Sequence, residues 1–206
     1  AIVQHLEFMN TLVETVGEGI IVTDPHSNFI LYNRGMEEIT GYSAQESQYP
    51  NFLQSLYPNP LSYQGFIEEM LQAFQGKKIN NSEWEITRKD GEKRNIIVSS
   101  RILNYGKSHL LLSAIRDITD RKLAESRLAK INDCFLEFGS DPHENIDRLT
   151  QLCGELLGAN YVIYTHQENE KLYVRSHWYK TPQNSLPSPL ENLCLDLSKN
   201  IYNQEK

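Results

Sequence analysis

The 206-residue chain is 39% hydrophobic and 23% charged, with a formal net charge of −7; that is the balance of a globular chain long enough for one large or two small domains. An acidic sequence with scattered Lys and Arg argues against a nucleic-acid or anionic-membrane binder, which carries a basic face. No run of about 18 apolar residues occurs, so the sequence offers no bilayer-spanning helix, and an amphipathic opening that contains Glu7 and Glu14 does not read as a signal peptide. The cysteines Cys134, Cys153 and Cys194 are odd in number, widely spaced and free of any CxxC. They read as buried, reduced thiols of a cytoplasmic protein, not as a disulfide framework or zinc site.

Ile2, Leu6, Met9, Val13 and Val16 recur at steps of four, three, four and three, which predicts an N-terminal helix over residues 1–17. The stripe fits an amphipathic helix on its own domain and a dimer seam equally well. Because the sequence opens inside this pattern with Ala1, it reads as a piece of a longer protein. Residues 19–24 and 29–32 form two short apolar runs across the turn Pro25-His-Ser-Asn28, a hairpin signal. Asn33 suits an N-cap, Met36 and Ile39 give the following helix a buried side, and Gly41 closes it. Ser43 and Glu46 have capping-box spacing, and residues 47–60 read as an irregular, aromatic-rich stretch. A helix is predicted over 61–74, with Phe66, Ile67, Met70, Leu71 and Phe74 on one side. Strands follow at 83–88, where Trp84 and Ile86 share a face, at 94–103, with Ile96, Val98 and Ile102 on one face, and at 109–117. The dipeptide Asp90-Gly91 marks the hairpin between the first two. Antiparallel hairpins with helices in the middle predict an α+β fold.

From Thr119 the pattern turns helical and charged. Ala124, Leu128, Ile131, Phe135 and Phe138 again step by four and three, and Gly139 ends the helix. Asp141-Pro-His-Glu144 supplies an N-cap, a proline at the first helical position and an early acidic residue, and Gly158 closes that helix. Residues 161–165 and 172–178 read as a strand pair, 181–189 as a loop and 190–197 as a short helix.

The run Glu18-Gly-Ile-Ile-Val-Thr-Asp24, then Asn33, Gly41-Tyr-Ser43, Arg88-Lys-Asp-Gly91 and Arg116-Asp-Ile-Thr-Asp-Arg-Lys122, resembles a PAS domain in order and spacing over residues 15–122. The Asp117-Ile-Thr119 run with the Asp-Arg-Lys after it is similar to the PAC-type exit motif that joins the last PAS strand to a signalling helix. Residues 128–206 resemble the N-terminal part of a GAF domain of bacterial multi-sensor histidine kinases, through 128–139, Glu144-Asn-Ile146 and 152–159. The resemblance implies an N-terminal helix (1–17), a PAS domain (18–118) with an antiparallel five-stranded sheet and helices on one face, a signalling helix (119–139) and a partial GAF domain (140–206). It implies a sensory and transmission region of a homodimeric, cytoplasmic two-component sensor histidine kinase, with a diguanylate cyclase or a ligand-free dimerisation scaffold as the alternatives.

No phosphate-binding loop, catalytic triad or metal-ligand cluster is present, so no catalytic or metal-binding residue is assigned to this stretch. His5, His26, His109 and His143 read as solvent-facing, and the helix at 61–74, where haem-binding relatives place their axial ligand, contains no His, which disfavours haem. Asn51-Phe-Leu-Gln54 resembles part of the flavin-adduct motif without its Cys, which disfavours a cysteinyl-flavin. Trp84 resembles the Trp near flavin in redox-sensing relatives, and non-covalent flavin stays open. By the resemblance, a small ligand or partner occupies the concave face of the sheet, walled by Ile20, Val22, Met36, Ile39, Phe66, Met70, Phe74, Trp84, Val98, Leu112 and Ala114. Ser100, Ser113 and Ala114 leave room for it. The same residues serve equally well as a filled core. Asp117, Ile118, Thr119, Arg121 and Lys122 are expected to transmit the signal, with an ion pair from Asp117 to Arg121 or Lys122 fixing the exit angle. Such a surface pair is worth only about 0–1 kcal/mol.

Overall fold

The computed structural model describes residue 11 and residues 13–15, 17–106, 108–168, 171–180 and 195–196. It divides into two compact units, Ala1–Lys122 and Leu123–Lys206. Of the predicted N-terminal helix, residues 11 and 13–15 are helical; Ile2, His5, Leu6, Met9 and Val16 lie outside the described residues.

The first unit is built on strands β1 (Gly19–Thr23), β2 (Phe29–Tyr32), β3 (Ile79–Thr87), β4 (Lys93–Tyr105) and β5 (Ser108–Asp117). They form one five-stranded sheet of order β2-β1-β5-β4-β3, antiparallel at every junction. The α+β architecture with an antiparallel five-stranded sheet is therefore as the sequence predicts. Local chemistry sets the turns. Asp24 Oδ1 accepts from the amides of His26 (2.8 Å) and Asn28 (2.9 Å) and closes the β1–β2 turn. Gly91, at φ +87°, supplies the left-handed residue of the β3–β4 hairpin.

Helices α1 (Arg34–Thr40), α2 (Phe52–Leu56) and α3 (Pro60–Phe74) cross between the two halves of the sheet. Asn33 caps α1 by accepting from the Met36 amide, and Gly41 ends it in the left-handed conformation. Ser43 and Glu46 form the reciprocal box: Glu46 Oε2 accepts from the Ser43 amide at 3.0 Å, and Ser43 Oγ accepts from the Glu46 amide at 3.3 Å. Residues 47–60 are more regular than expected: a 3-10 turn at Glu46–Gln48 and then α2. Their alternation of apolar and turn residues is too short for periodicity to register. The core between helices and sheet joins Met36, Ile39, Phe52 and Leu56 to Ile86, Ile96, Val98 and Ile115, with Tyr32 and Tyr57 among them. β3 begins four residues before its predicted start, and its register slips between Ile79 and Ser82, where Asn81 is held at φ +51°. The extra residue turns Ile79 inward together with Ile86 despite their odd spacing.

Helix α4 (Thr119–Leu136) follows β5, and the division between units falls inside it. In the second unit α5 (Pro142–Leu157) is capped by Asp141, which accepts from the His143 amide at 2.8 Å, and ends at Gly158 in the left-handed conformation. Strands β6 (Tyr161–Glu168) and β7 (Lys171–Tyr179) pair antiparallel, and β8 (Leu195–Asp196) adds to β7. A Cβ on Gly154 would overlap the Trp178 ring, so glycine lets α5 settle onto β7. The predicted 190–197 helix is corrected at its two described positions, which are strand; the rest of it, and the 181–189 loop, lie outside the described residues. The cysteine expectation is corrected too: Cys153 is exposed and Cys134 half-buried, while Cys194 lies outside the described residues.

Candidate functional site

Between sheet and helices the first unit encloses a cavity with about 50 Å³ of room for the centres of water-sized spheres. One water needs about 10–15 Å³ of such room, so roughly four fit. Its floor is Ile21 and Thr23 of β1, Ile86 of β3, Ile96, Val98 and Ser100 of β4, and Leu111, Ser113 and Ile115 of β5. Its roof is Met36 of α1, Leu56 and Tyr57 at the end of α2, and Phe66, Glu69, Met70 and Ala73 of α3. A three-ring flavin is larger than this room as packed here.

The wall is apolar except at Ser27 of the β1–β2 turn and four further points. Ser100 and Ser113 face each other across β4 and β5, their hydroxyls 2.8 Å apart and buried. Glu69 is held from below: Ser82 Oγ donates to its Oε2 at 2.6 Å and Trp84 Nε1 to its Oε1 at 3.1 Å. Thr23 is 4% exposed and Tyr57 2%, yet neither side-chain hydroxyl has a hydrogen-bond partner among the described residues. Burial pushes the Tyr57 phenol well above the ordinary tyrosine range, and the negative Glu69 carboxylate adds to the shift. The hydroxyl therefore keeps its proton and stands as a donor.

Of the predicted wall, Met36, Phe66, Met70 and Val98 line the cavity. Ile39 is buried in the core beside it. Trp84 forms a second layer, edge-on to Tyr57 at 6.1 Å and to Phe66 at 5.7 Å, and Phe74 packs on Ala73, Ile79 and Leu111. Ile20, Val22, Leu112 and Ala114 are corrected: they lie on the opposite face. Ile20 pairs with Ala114 and Val22 with Leu112, while the alternate pairs, Ile21 with Ser113 and Thr23 with Leu111, turn inward. Gly-Ile-Ile-Val-Thr and Leu-Leu-Leu-Ser-Ala are apolar on both faces, so period-2 alternation gave no phase. Sequence reasoning passed over Glu69, although it stands three residues after Phe66 and four before Ala73, a charge on the buried side of a helix. It also passed over Thr23 and Tyr57.

The second candidate region is the exit from β5. Asp117 Oδ1 accepts from the Thr119 amide at 2.8 Å, capping the start of α4. Thr119 Oγ1 accepts from the Asn95 amide at 2.9 Å, and the Ile118 amide donates to the Asn95 carbonyl at 2.8 Å. Ile118 is 4% exposed. The expected ion pair is corrected. Asp117 faces Arg94, at 3.3 Å, and Lys122 and Arg121 reach instead to Glu83 of β3, at 2.6 Å and 3.9 Å. The Lys122 ammonium holds the exposed Glu83 carboxyl below its usual range, with Arg121 contributing. Three strands thus meet at the first turn of α4. His26, His109 and His143 are exposed, and among the described residues no group of His, Cys, Asp and Glu is placed to hold a metal ion. No helix among them is long and apolar enough to cross a membrane.

The family model of the PAS domain matches residues 17–120, half of the chain. No curated protein matches the sequence. Similar solved structures include the PAS domain of a protein from Colwellia psychrerythraea, 24% identical, covering 56% of this chain and 98% of that one with a TM-score of 0.47. A domain of a sensory box sensor histidine kinase/response regulator from Geobacter sulfurreducens is 16% identical over 57% of this chain and 97% of that one, with a TM-score of 0.47. A sensory box histidine kinase/response regulator from Burkholderia thailandensis is 17% identical over 63% of this chain and 98% of that one, with a TM-score of 0.47.

Proposed function

This chain belongs to the PAS domain family, and from that premise we propose that it is the sensory and signal-transmission region of a cytoplasmic, homodimeric sensor histidine kinase. PAS domains are sensory, and the cavity of the first unit is where this one would detect its signal. The observation that carries the reading is the continuity of β5. Ser113 and Ile115 line the cavity, and Asp117, two residues on, caps α4. A ligand that displaces the floor moves the residue that sets the helix start. The bias needed is small, because a two-state element with a gap of a few kcal/mol responds to any ligand that prefers one state. In this reading α4 carries the change into residues 140–206, whose helix followed by an antiparallel pair supports their reading as the start of a GAF domain. The Asp117–Thr119 junction serves as the PAC-type exit. The kinase parentage rests on the sequence resemblance of residues 128–159.

One observation favours a second reading, a dimerisation scaffold that binds nothing: a room of about 50 Å³ is well below the roughly 300–1,000 Å³ of most ligand sites. Native mass spectrometry of the full chain, compared with its denatured mass, separates the two. Mass lost on denaturation supports the sensor. A dimer that carries no extra mass and is unmoved by a metabolite panel leaves the scaffold.

A further inference from the structure

The cavity's two unpartnered hydroxyls say what kind of molecule it takes. Buried polar groups are hydrogen-bonded in nearly all folded proteins, and one left over asks what pairs with it. Tyr57 and Thr23, 2% and 4% exposed, both line this cavity and have no partner among the described residues. We propose that the cavity binds a neutral short-chain alcohol, whose hydroxyl accepts from Tyr57 and donates to Thr23 or Glu69 while its carbons fill the apolar remainder. The proposal rests on the sensory reading and deepens it.

Each part of the wall selects. The volume admits a molecule of roughly four or five non-hydrogen atoms, the space of about four waters. Glu69 carries a negative charge into the wall, held by the neutral donors Ser82 and Trp84, and no ion pair to it occurs among the described residues. A ligand carboxylate would meet a like charge in an apolar surround, which is strongly unfavourable. A ligand ammonium would lose its hydration and leave the Tyr57 donor without an acceptor. An alkane would leave both hydroxyls unpaired. A hydroxyl both donates and accepts, so it satisfies the donor at Tyr57 and an acceptor opposite. Because burial and the Glu69 charge keep the phenol protonated, its donor role holds across the physiological range.

The test is amide NMR of the labelled full chain, titrated separately with 1-butanol, sodium butyrate and dissolved xenon. Xenon enters apolar cavities without needing a hydrogen bond and so reports the cavity alone. Butanol and xenon are expected to shift the same amides around Ser100, Ser113 and Thr23, and butyrate is expected to shift none. Tyr57→Phe removes only the hydroxyl; it should weaken butanol by about two- to twelvefold, the worth of one hydrogen bond, and leave xenon unchanged. Thr23→Val, nearly the same shape, provides a second and independent loss if the tyrosine variant does not fold. Butyrate binding as well as butanol, or butanol affinity unmoved by both variants while xenon still binds, overturns the alcohol assignment and leaves a working cavity. If neither xenon nor butanol shifts these amides, the sensory cavity fails as well.

Discussion

Replacing Asn33 by Ala removes a side chain that is 1% exposed and ties three segments together. Its Oδ1 accepts from the Ile20 amide at 2.7 Å and from the Met36 amide at 3.0 Å. Its Nδ2 donates to the carbonyls of Val13 at 2.9 Å and Glu18 at 3.0 Å. Loss of the N-cap costs about 1 kcal/mol. The Ile20 amide, left without an acceptor in the first strand, costs about 1–3 kcal/mol more, and the two carbonyls about 1 kcal/mol each if water reaches them. Asn33→Ala should therefore destabilise the first unit by about 4–6 kcal/mol, against a total of about 5–15 for a domain. In urea, at a slope of about 2 kcal/mol per M, the midpoint falls by roughly 2–3 M. Trp84 reports this unit and Trp178 the other, so the measurement is tryptophan fluorescence in a Trp178→Phe background. Asn33→Asp sharpens the test. It keeps both accepted bonds but turns a carboxylate toward two carbonyl oxygens, which raises its pKa in the folded state above the unfolded value. The folded form then binds the proton more tightly, so the deficit of Asn33→Asp shrinks as pH falls. A midpoint for Asn33→Ala within about 0.5 M of the parent, or an Asn33→Asp deficit that ignores pH, would refute the network as described.

Three further outcomes follow from single contacts. Ser100→Ala and Ser113→Ala each strand one buried hydroxyl and should cost about 1–3 kcal/mol, whereas the double variant should cost less than their sum; a strictly additive double variant in urea unfolding would show that the 2.8 Å pair does not couple. Glu83 has its folded pKa depressed from 4.5, first by the hydrogen bond from Lys122, so its hold on α4 is full above 4.5 and is lost as pH falls through the lower folded value. Chemical shifts at residues 119–122 should therefore move toward coil only in acid, while Glu83→Gln should be flat with pH and already frayed at neutrality; a parent and variant with the same profile would rule the clamp out. Gly154→Ala places a methyl group in the Trp178 ring and should cost the second unit about 1–3 kcal/mol by overpacking, seen in Trp178 fluorescence with Trp84→Phe. An unchanged midpoint would mean that α5 does not approach β7 so closely.

What was legible in the sequence was local. As helix caps and boxes, Asn33 (through Met36), Gly41, Ser43 with Glu46, Asp141-Pro142 and Gly158 act on backbone groups within four residues, so spacing alone finds them, and the hairpin turns at 24–28 and 90–91 are of the same kind. The long-range bonds of Asn33 to Val13, Glu18 and Ile20 left no such signal. What escaped depended on partners distant in the chain. The inward face of β1 and β5 is decided by which side the helices cover, and Ile21 and Ile20 are equally apolar. The start of β3 was obscured by Asn80 and Asn81, polar residues at a bulge that reverses the alternation. Lys122 chose Glu83, 39 positions away, over Asp117, five away, because Thr119 and Arg94 already occupy the Asp117 carboxylate. Tyr57 lies in a stretch without periodicity, and only its burial together with the lack of a partner marks it.

The pairing of β1 with β5 at the centre of the sheet has a mechanical consequence. Gly19 sits opposite Ile115, and Glu18 is ion-paired with Arg116, so the chain enters and leaves the sheet on neighbouring strands about 4.8 Å apart. Tension applied along the chain pulls these two ends directly away from each other. It loads one backbone pair at a time, from Gly19–Ile115 towards Thr23–Leu111, and does not shear all of them together. The unit should therefore unzip at low force, and the first residues bared are Ile21, Ser113 and Ile115 of the cavity floor.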